Sequence, residues 1–153
     1  MTMTLALTGH AVRIYHSANS DPMVLDSIAG FNEIHARLSE FLQSDQRLIR
    51  LSADVSGSAE PYDELLPALE IEKTEGPVYV YLSTERALRI TGGVENLRIY
   101  ADFFRFRDDE EGAHHHPEYV KRPGYIKPGT LSVIIEADTA YIEELRVTDR
   151  GDR

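Results

Sequence analysis

The sequence predicts an α+β fold: two ββαββ repeats whose strands form mostly antiparallel sheet, with two amphipathic helices on one side. Three observations carry this. Short stretches of apolar–polar alternation recur along the chain, two stretches change period to three and four, and the order of elements in residues 1–76 returns in residues 77–153. With 153 residues, 42% of them hydrophobic, the chain is a single compact domain able to bury its own core.

Residues 4–16, TLALTGHAVRIYH, alternate and break at Thr8-Gly9, the pattern of two short strands joined by a turn. Met23 to Ile28 reads as a further strand, ended by Ala29-Gly30. From Phe31 the apolar residues Phe31, Ile34, Leu38, Phe41 and Leu42 recur at helical spacing, so a helix runs to about Ser44-Asp45. Leu48 to Val55 alternates again and is a half-buried strand. Ser56 to Pro67 is a loop with one helical turn at Asp63 to Leu66, and Leu69 to Glu72 is a strand that Gly76-Pro77 interrupts.

The second half opens with VYVYL at residues 78–82, whose β-branched and aromatic residues suit a pleated surface. Residues 87–90 supply its hairpin partner. Gly92-Gly93 then opens a helix with Val94, Leu97, Ala101 and Phe104 on its apolar stripe. Asp108 to Gly112 is a charged loop, and Ala113 to Val120 alternates as a strand, with Pro117 confining it to an edge or a bulge. Lys121 to Gly129 is loop, Leu131 to Glu136 an apolar strand, and Tyr141 to Val147 a last strand before the charged tail TDRGDR.

The two halves align with an offset of 63 through the helices, Gly30 with Gly93 and Phe41 with Phe104. After them the offset is 64, which sets Arg50, Ser52 and Asp54 opposite His114, His116 and Glu118.

Composition narrows function by exclusion. There is no cysteine, hence no disulfide and no thiolate nucleophile or ligand. No apolar run approaches a membrane span and the first residues lack a signal-peptide pattern, so the expectation is a cytoplasmic protein without a membrane partner. A net charge of −10 repels phosphate backbones and argues against nucleic acid, while a basic protein is a natural partner. No cofactor motif is present.

The one local pattern with chemical potential is the histidine run. In a strand, His114, His116 and Glu118 share a face, with His115 and Tyr119 on the other. Two imidazoles and a carboxylate so placed could ligate zinc or act as acid and base. The same residues are equally the polar face of an edge strand, or a recognition patch approached by the acidic run Asp108, Asp109, Glu110 and Glu111. His10, His16 and His35 are scattered and read as surface or hairpin residues.

A strand ending in Gly92-Gly93, then Glu95 and Leu97 at the helix start, then Gly112, His114, His116, Glu118 and Tyr119, then an apolar strand over Leu131 to Ile135, resembles the predicted immunity protein family thirty-two of bacterial polymorphic toxin systems. The resemblance covers residues 78–137 best, with residues 13–42 looking like a diverged copy. It implies a small cytoplasmic α+β protein, encoded beside a toxin, that binds the toxin and blocks it without doing chemistry. His114, His116, Glu118 and Tyr119, with the acidic loop, would then meet a basic cognate toxin. Two other readings stand beside it: a metal-binding domain or metal-dependent hydrolase using His114, His116 and Glu118, and a homodimeric interaction module.

Overall fold

The computed structural model describes residues 2–5 and 12–151. In chain order the elements are β1 (Thr2–Leu5), β2 (Arg13–Ser17), β3 (Ser20–Asp26), α1 (Ile28–Gln43), β4 (Leu48–Ser52), β5 (Glu64–Leu65), β6 (Ala68–Lys73), β7 (Tyr79–Leu82), β8 (Leu88–Gly92), α2 (Val94–Ala101), β9 (His114–His115), β10 (Ile134–Ala137) and α3 (Thr139–Gly151). The fold is α+β, with two mixed sheets. The first runs β1-β4-β6-β8-β7 and the second β5-β2-β3-β10-β9. Among the described residues five strand pairs are antiparallel, while β1 with β4, β6 with β8 and β3 with β10 are parallel.

Alternation sorts each strand into an inner and an outer face. Across the first sheet Val80, Ile90, Ile71 and Ile49 stand in one row, all buried. The neighbouring outer row is Tyr81, Arg89, Glu70 and Arg50. Across the second sheet the inner row is Ile14, Val24, Ile135 and His115, and an outer row is Arg13, Leu25, Glu136 and His114. The inner rows of both sheets and the apolar faces of α1 and α2 form one hydrophobic cluster, so two small sheets share a single core.

α1 begins three residues before the expected Phe31, because Ser27 caps it: the Ser27 side chain accepts from the Gly30 N–H at 2.9 Å. Gly30 therefore lies in the first turn of the helix and does not end a strand. A Cβ there would stand 2.3 Å from Asp26 Oδ1, so glycine is required by close approach. Phe31, Ile34, Leu38 and Phe41 are buried at the spacing the sequence predicts. α2 is followed by a 3-10 turn at Asp102–Phe104 that buries Phe104.

Other expectations fail as well. The hairpin over residues 4–16 is not formed, since β1 pairs with β4 in the first sheet and β2 with β3 in the second; Thr8, Gly9 and His10 lie outside the described residues. Asp63 to Leu66 contributes the short strand β5 in place of a helical turn. The apolar run from Leu131 pairs as a strand only from Ile134. Before that, residues 125–131 strap the edge of β7, where Val78 N–H donates to Tyr125 O and Leu131 N–H to Val80 O.

The strand expected at Tyr141 to Val147 is the helix α3. Asp138 Oδ1 accepts from the Tyr141 N–H at 3.0 Å, a cap that outweighs the weak alternation downstream. Ile142 and Leu145, three apart, pack with Tyr15, Leu25, Met23 and Tyr62 on the outer face of the second sheet. The helices are thus not all on one side, as α3 packs on the outer face of the second sheet. No helix among the described residues is long and apolar enough to cross a membrane.

Candidate functional site

Pro117 has no N–H to give a ladder, and β9 ends at His115 with a 3-10 turn over Pro117–Tyr119. The period-two face expected for His114, His116 and Glu118 is lost at that point. His114 projects from the outer face, its Nδ1 2.9 Å from Glu136 Oε1 on the paired strand. His115 points into the core, stacked on Phe106 at 4.1 Å with its Nδ1 2.7 Å from the Phe103 carbonyl. His116 starts the turn and stacks on Tyr119 at 4.8 Å, leaving Tyr119 exposed.

Glu118 turns inward. Its Oε1 accepts from the Val133 N–H at 2.7 Å, tying the turn to the residue just before β10, while Oε2 is buried without a hydrogen-bond partner. Nearby are two buried tyrosines. Tyr125 donates to the Pro117 carbonyl at 2.9 Å, whereas the Tyr100 hydroxyl has no partner. Burial, reinforced by the Glu118 carboxylate, pushes both phenols well above their ordinary value. Among the described residues no three His, Cys, Asp or Glu side chains are grouped to hold a metal ion. The ligand set His114, His116 and Glu118 is therefore not assembled.

The acidic run divides in the same way. Asp108 and Asp109 are exposed, Asp109 pairing with Arg107 at 3.1 Å. Glu110 accepts from the Arg107 N–H at 2.8 Å and lies 3.4 Å from His115 Nε2. The Arg107 N–H is the main reason its carboxyl sits below the usual range. Glu111 accepts from the Thr139 N–H at 3.0 Å and so caps α3. Half of the run is engaged in holding the fold.

A cleft of about 260 Å³ opens on the outer face of the second sheet. Its floor is Tyr15, Met23 and Leu25; Tyr62 and Tyr141 wall it, and the carboxylates of Glu60, Glu136 and Asp138 line it. The rings of Tyr15 and Tyr62 lie 5.1 Å apart at 37°. His114, through its bond to Glu136, connects the histidine run to this cleft. The cleft residues come from four separate stretches, Tyr15, Met23 with Leu25, Glu60 to Tyr62, and Glu136 to Tyr141, so no local motif announces them. The helical spacing of Ile142 and Leu145 behind Asp138 is the signal that could have exposed the Tyr141 wall.

Arg13 lies beside the floor, 3% exposed, and is neutralised from within. Its guanidinium donates to Asp54 at 2.9 Å, to the Ser56 carbonyl at 3.0 Å and, through Nε, to the Tyr15 hydroxyl at 2.9 Å. Burial works against its charge, but Tyr15 and Asp54 more than offset that and hold its pKa above the ordinary value. No protein-family model matches the sequence, and no curated protein matches it either.

Proposed function

We propose that this chain is an immunity protein that works in the cytoplasm by binding a basic cognate toxin and blocking it, with no catalysis of its own. The observation that carries the reading is the cleft on the second sheet. It is concave, aromatic and lined by three carboxylates, in a chain of net charge −10. Acid of this kind accelerates encounter with a basic protein, and aromatic side chains at the centre of a patch supply most of the binding energy. The residues His114, Glu136 and Tyr141 are the centre of the contact; Asp108 and Asp109 serve as long-range steering charges. Glu118 is a scaffold residue.

The same reading takes the fold as a duplication of one ββαββ unit. Support comes from the pairing order. β7-β8-β6-β4 joins antiparallel, parallel and antiparallel, and so does β2-β3-β10-β9. In each unit the hairpin enters one sheet and the last two strands enter the other. By register His115 then corresponds to Ile49 and His114 to Leu48, an offset of 66 that differs from the 64 expected from the alternation.

Co-expression tests the function. The product of the neighbouring gene, made alone, should stop growth, and this protein should restore it through a complex that survives gel filtration. A neighbour that is harmless, or that stays toxic beside this protein, ends the proposal.

A further inference from the structure

The cleft is selective in a way that acidity alone does not explain. Tyr62, half-buried, and Tyr141, 40% exposed, flank a floor in which the Tyr15 ring lies 5.1 Å from that of Tyr62, with Tyr141 hydrogen-bonded through its side chain to Tyr15. Glu136 offers Oε2 as an acceptor, because His114 takes only Oε1. Asp138 likewise uses one oxygen on the Tyr141 N–H. A planar, weakly hydrated cation satisfies both features together, since it stacks on tyrosine faces and donates in its own plane to carboxylates. An ammonium does this less well, because it is strongly hydrated and would be stripped of water against Met23 and the tyrosine rings. The molecule already holds a guanidinium in this way: Arg13 Cζ lies 5.5 Å from the Tyr15 ring centroid, and its charge is spent on Asp54.

Resting on the toxin-binding reading for the existence of a partner, we infer that the cleft takes one arginine side chain of that partner. Its guanidinium stacks on Tyr62 and Tyr141 and bonds to Glu136 and Asp138, and its methylene stem covers Met23. The arginine is the anchor of the complex, and the acidic surface around it sets only the rate of encounter.

The probe is the blocked tripeptide acetyl-Gly-Arg-Gly-amide, titrated into the full chain and followed by NMR at the rings of Tyr15, Tyr62 and Tyr141. Matched peptides with lysine or citrulline in place of arginine, and spermidine, are the comparisons. Saturable shifts at these three rings are expected, with a dissociation constant on the order of 1 mM, the scale of a single anchor without its surrounding interface. Glu136→Gln and Tyr141→Ala, both on partly exposed side chains, should each weaken binding about fivefold to tenfold while the remaining spectrum stays folded. The citrulline peptide should not bind.

Equal binding of citrulline, binding of lysine or spermidine as tight as that of arginine, or arginine shifts scattered over the acidic surface would overturn the inference. Its failure is separable from that of the function. Growth protection that survives Glu136→Gln and Tyr141→Ala removes the anchor and leaves the immunity reading. Saturable arginine binding by a protein that protects against nothing does the reverse.

Discussion

Two buried tyrosines a short way from Glu118 differ in one respect, and the difference sets a measurable sign. Tyr125 donates to the Pro117 carbonyl; the Tyr100 hydroxyl, equally buried, has no partner. An unpaired buried hydroxyl costs about 1–3 kcal/mol, whereas a made hydrogen bond contributes about 1 kcal/mol net. Tyr100→Phe removes that penalty and leaves a void the size of one oxygen, so it should range from neutral to about 1 kcal/mol more stable. Tyr125→Phe strands the Pro117 carbonyl and should lose about 1–1.5 kcal/mol. With a urea m-value of about 1–3 kcal/mol/M, the two midpoints should differ by roughly 1 M.

The alkaline limb gives a second reading of the same pair. Both phenols are held above the ordinary value, so the unfolded chain loses its protons first. Stability is then fully present below about pH 10 and falls as pH rises from there toward the folded values, and each Phe variant should shorten that fall. Equal destabilisation by the two substitutions at pH 7, within about 0.5 kcal/mol, would refute the account, because the Tyr100 hydroxyl would then be satisfied.

Three further outcomes follow from other contacts. Glu118→Gln keeps an acceptor for the Val133 N–H and gains a donor at the buried Oε2 position, so it should cost under about 1 kcal/mol where Glu118→Ala costs about 2–3 kcal/mol, read by thermal denaturation. Gly30→Ala should destabilise by about 2 kcal/mol or more, although alanine is the better helix former by about 1 kcal/mol, since its Cβ would overlap the Asp26 carboxylate. Burial pushes the Asp54 carboxyl up, but Ser56 and Arg13 outweigh it and hold it below the usual range. Its contribution is present above the unfolded carboxylate pKa of about 4 and is lost as pH falls through the lower folded value. Asp54→Asn should therefore flatten the acid limb and cost about 2 kcal/mol at neutral pH, measured as urea midpoints from pH 2 to 7.

What was legible in the sequence was what periodicity alone decides. The buried positions of α1, the inner row of the first sheet and the turn into α2 at Gly92-Gly93 all follow from spacings of two or of three and four. Elements decided by a single side-chain contact were not legible. Asp138 as a cap turned an expected strand into α3, Ser27 moved the start of α1, and the missing N–H of Pro117 ended β9 after two residues. The candidate site suffered most from the last of these. His114 was legible as an outward residue, but its partner Glu136 is 22 positions away in sequence, and Tyr15 and Tyr62 are farther still.

The two outer faces explain why a cation would choose the second sheet. On the first sheet Arg50 and Arg89 both grip Glu70, at 2.7 and 3.2 Å, and Arg89 and Arg47 both approach Glu72, at 3.0 and 3.6 Å. A charged partner arriving there must break pairs that are already made and desolvate both members, for little net gain. On the second sheet the outer row carries Glu136 beside His114, and Arg13 at the far end of the row is held by Asp54, while Asp138 and Glu60 have no basic side chain beside them among the described residues. The excess acid of the chain is therefore felt where α3 leaves the sheet uncovered. A cation entering the cleft meets Glu136 at Oε2, with His114 still bonded to Oε1, and so displaces water and no existing contact of the carboxylates. The face that keeps carboxylates without an ion pair among the described residues is thus the one able to bind a cation.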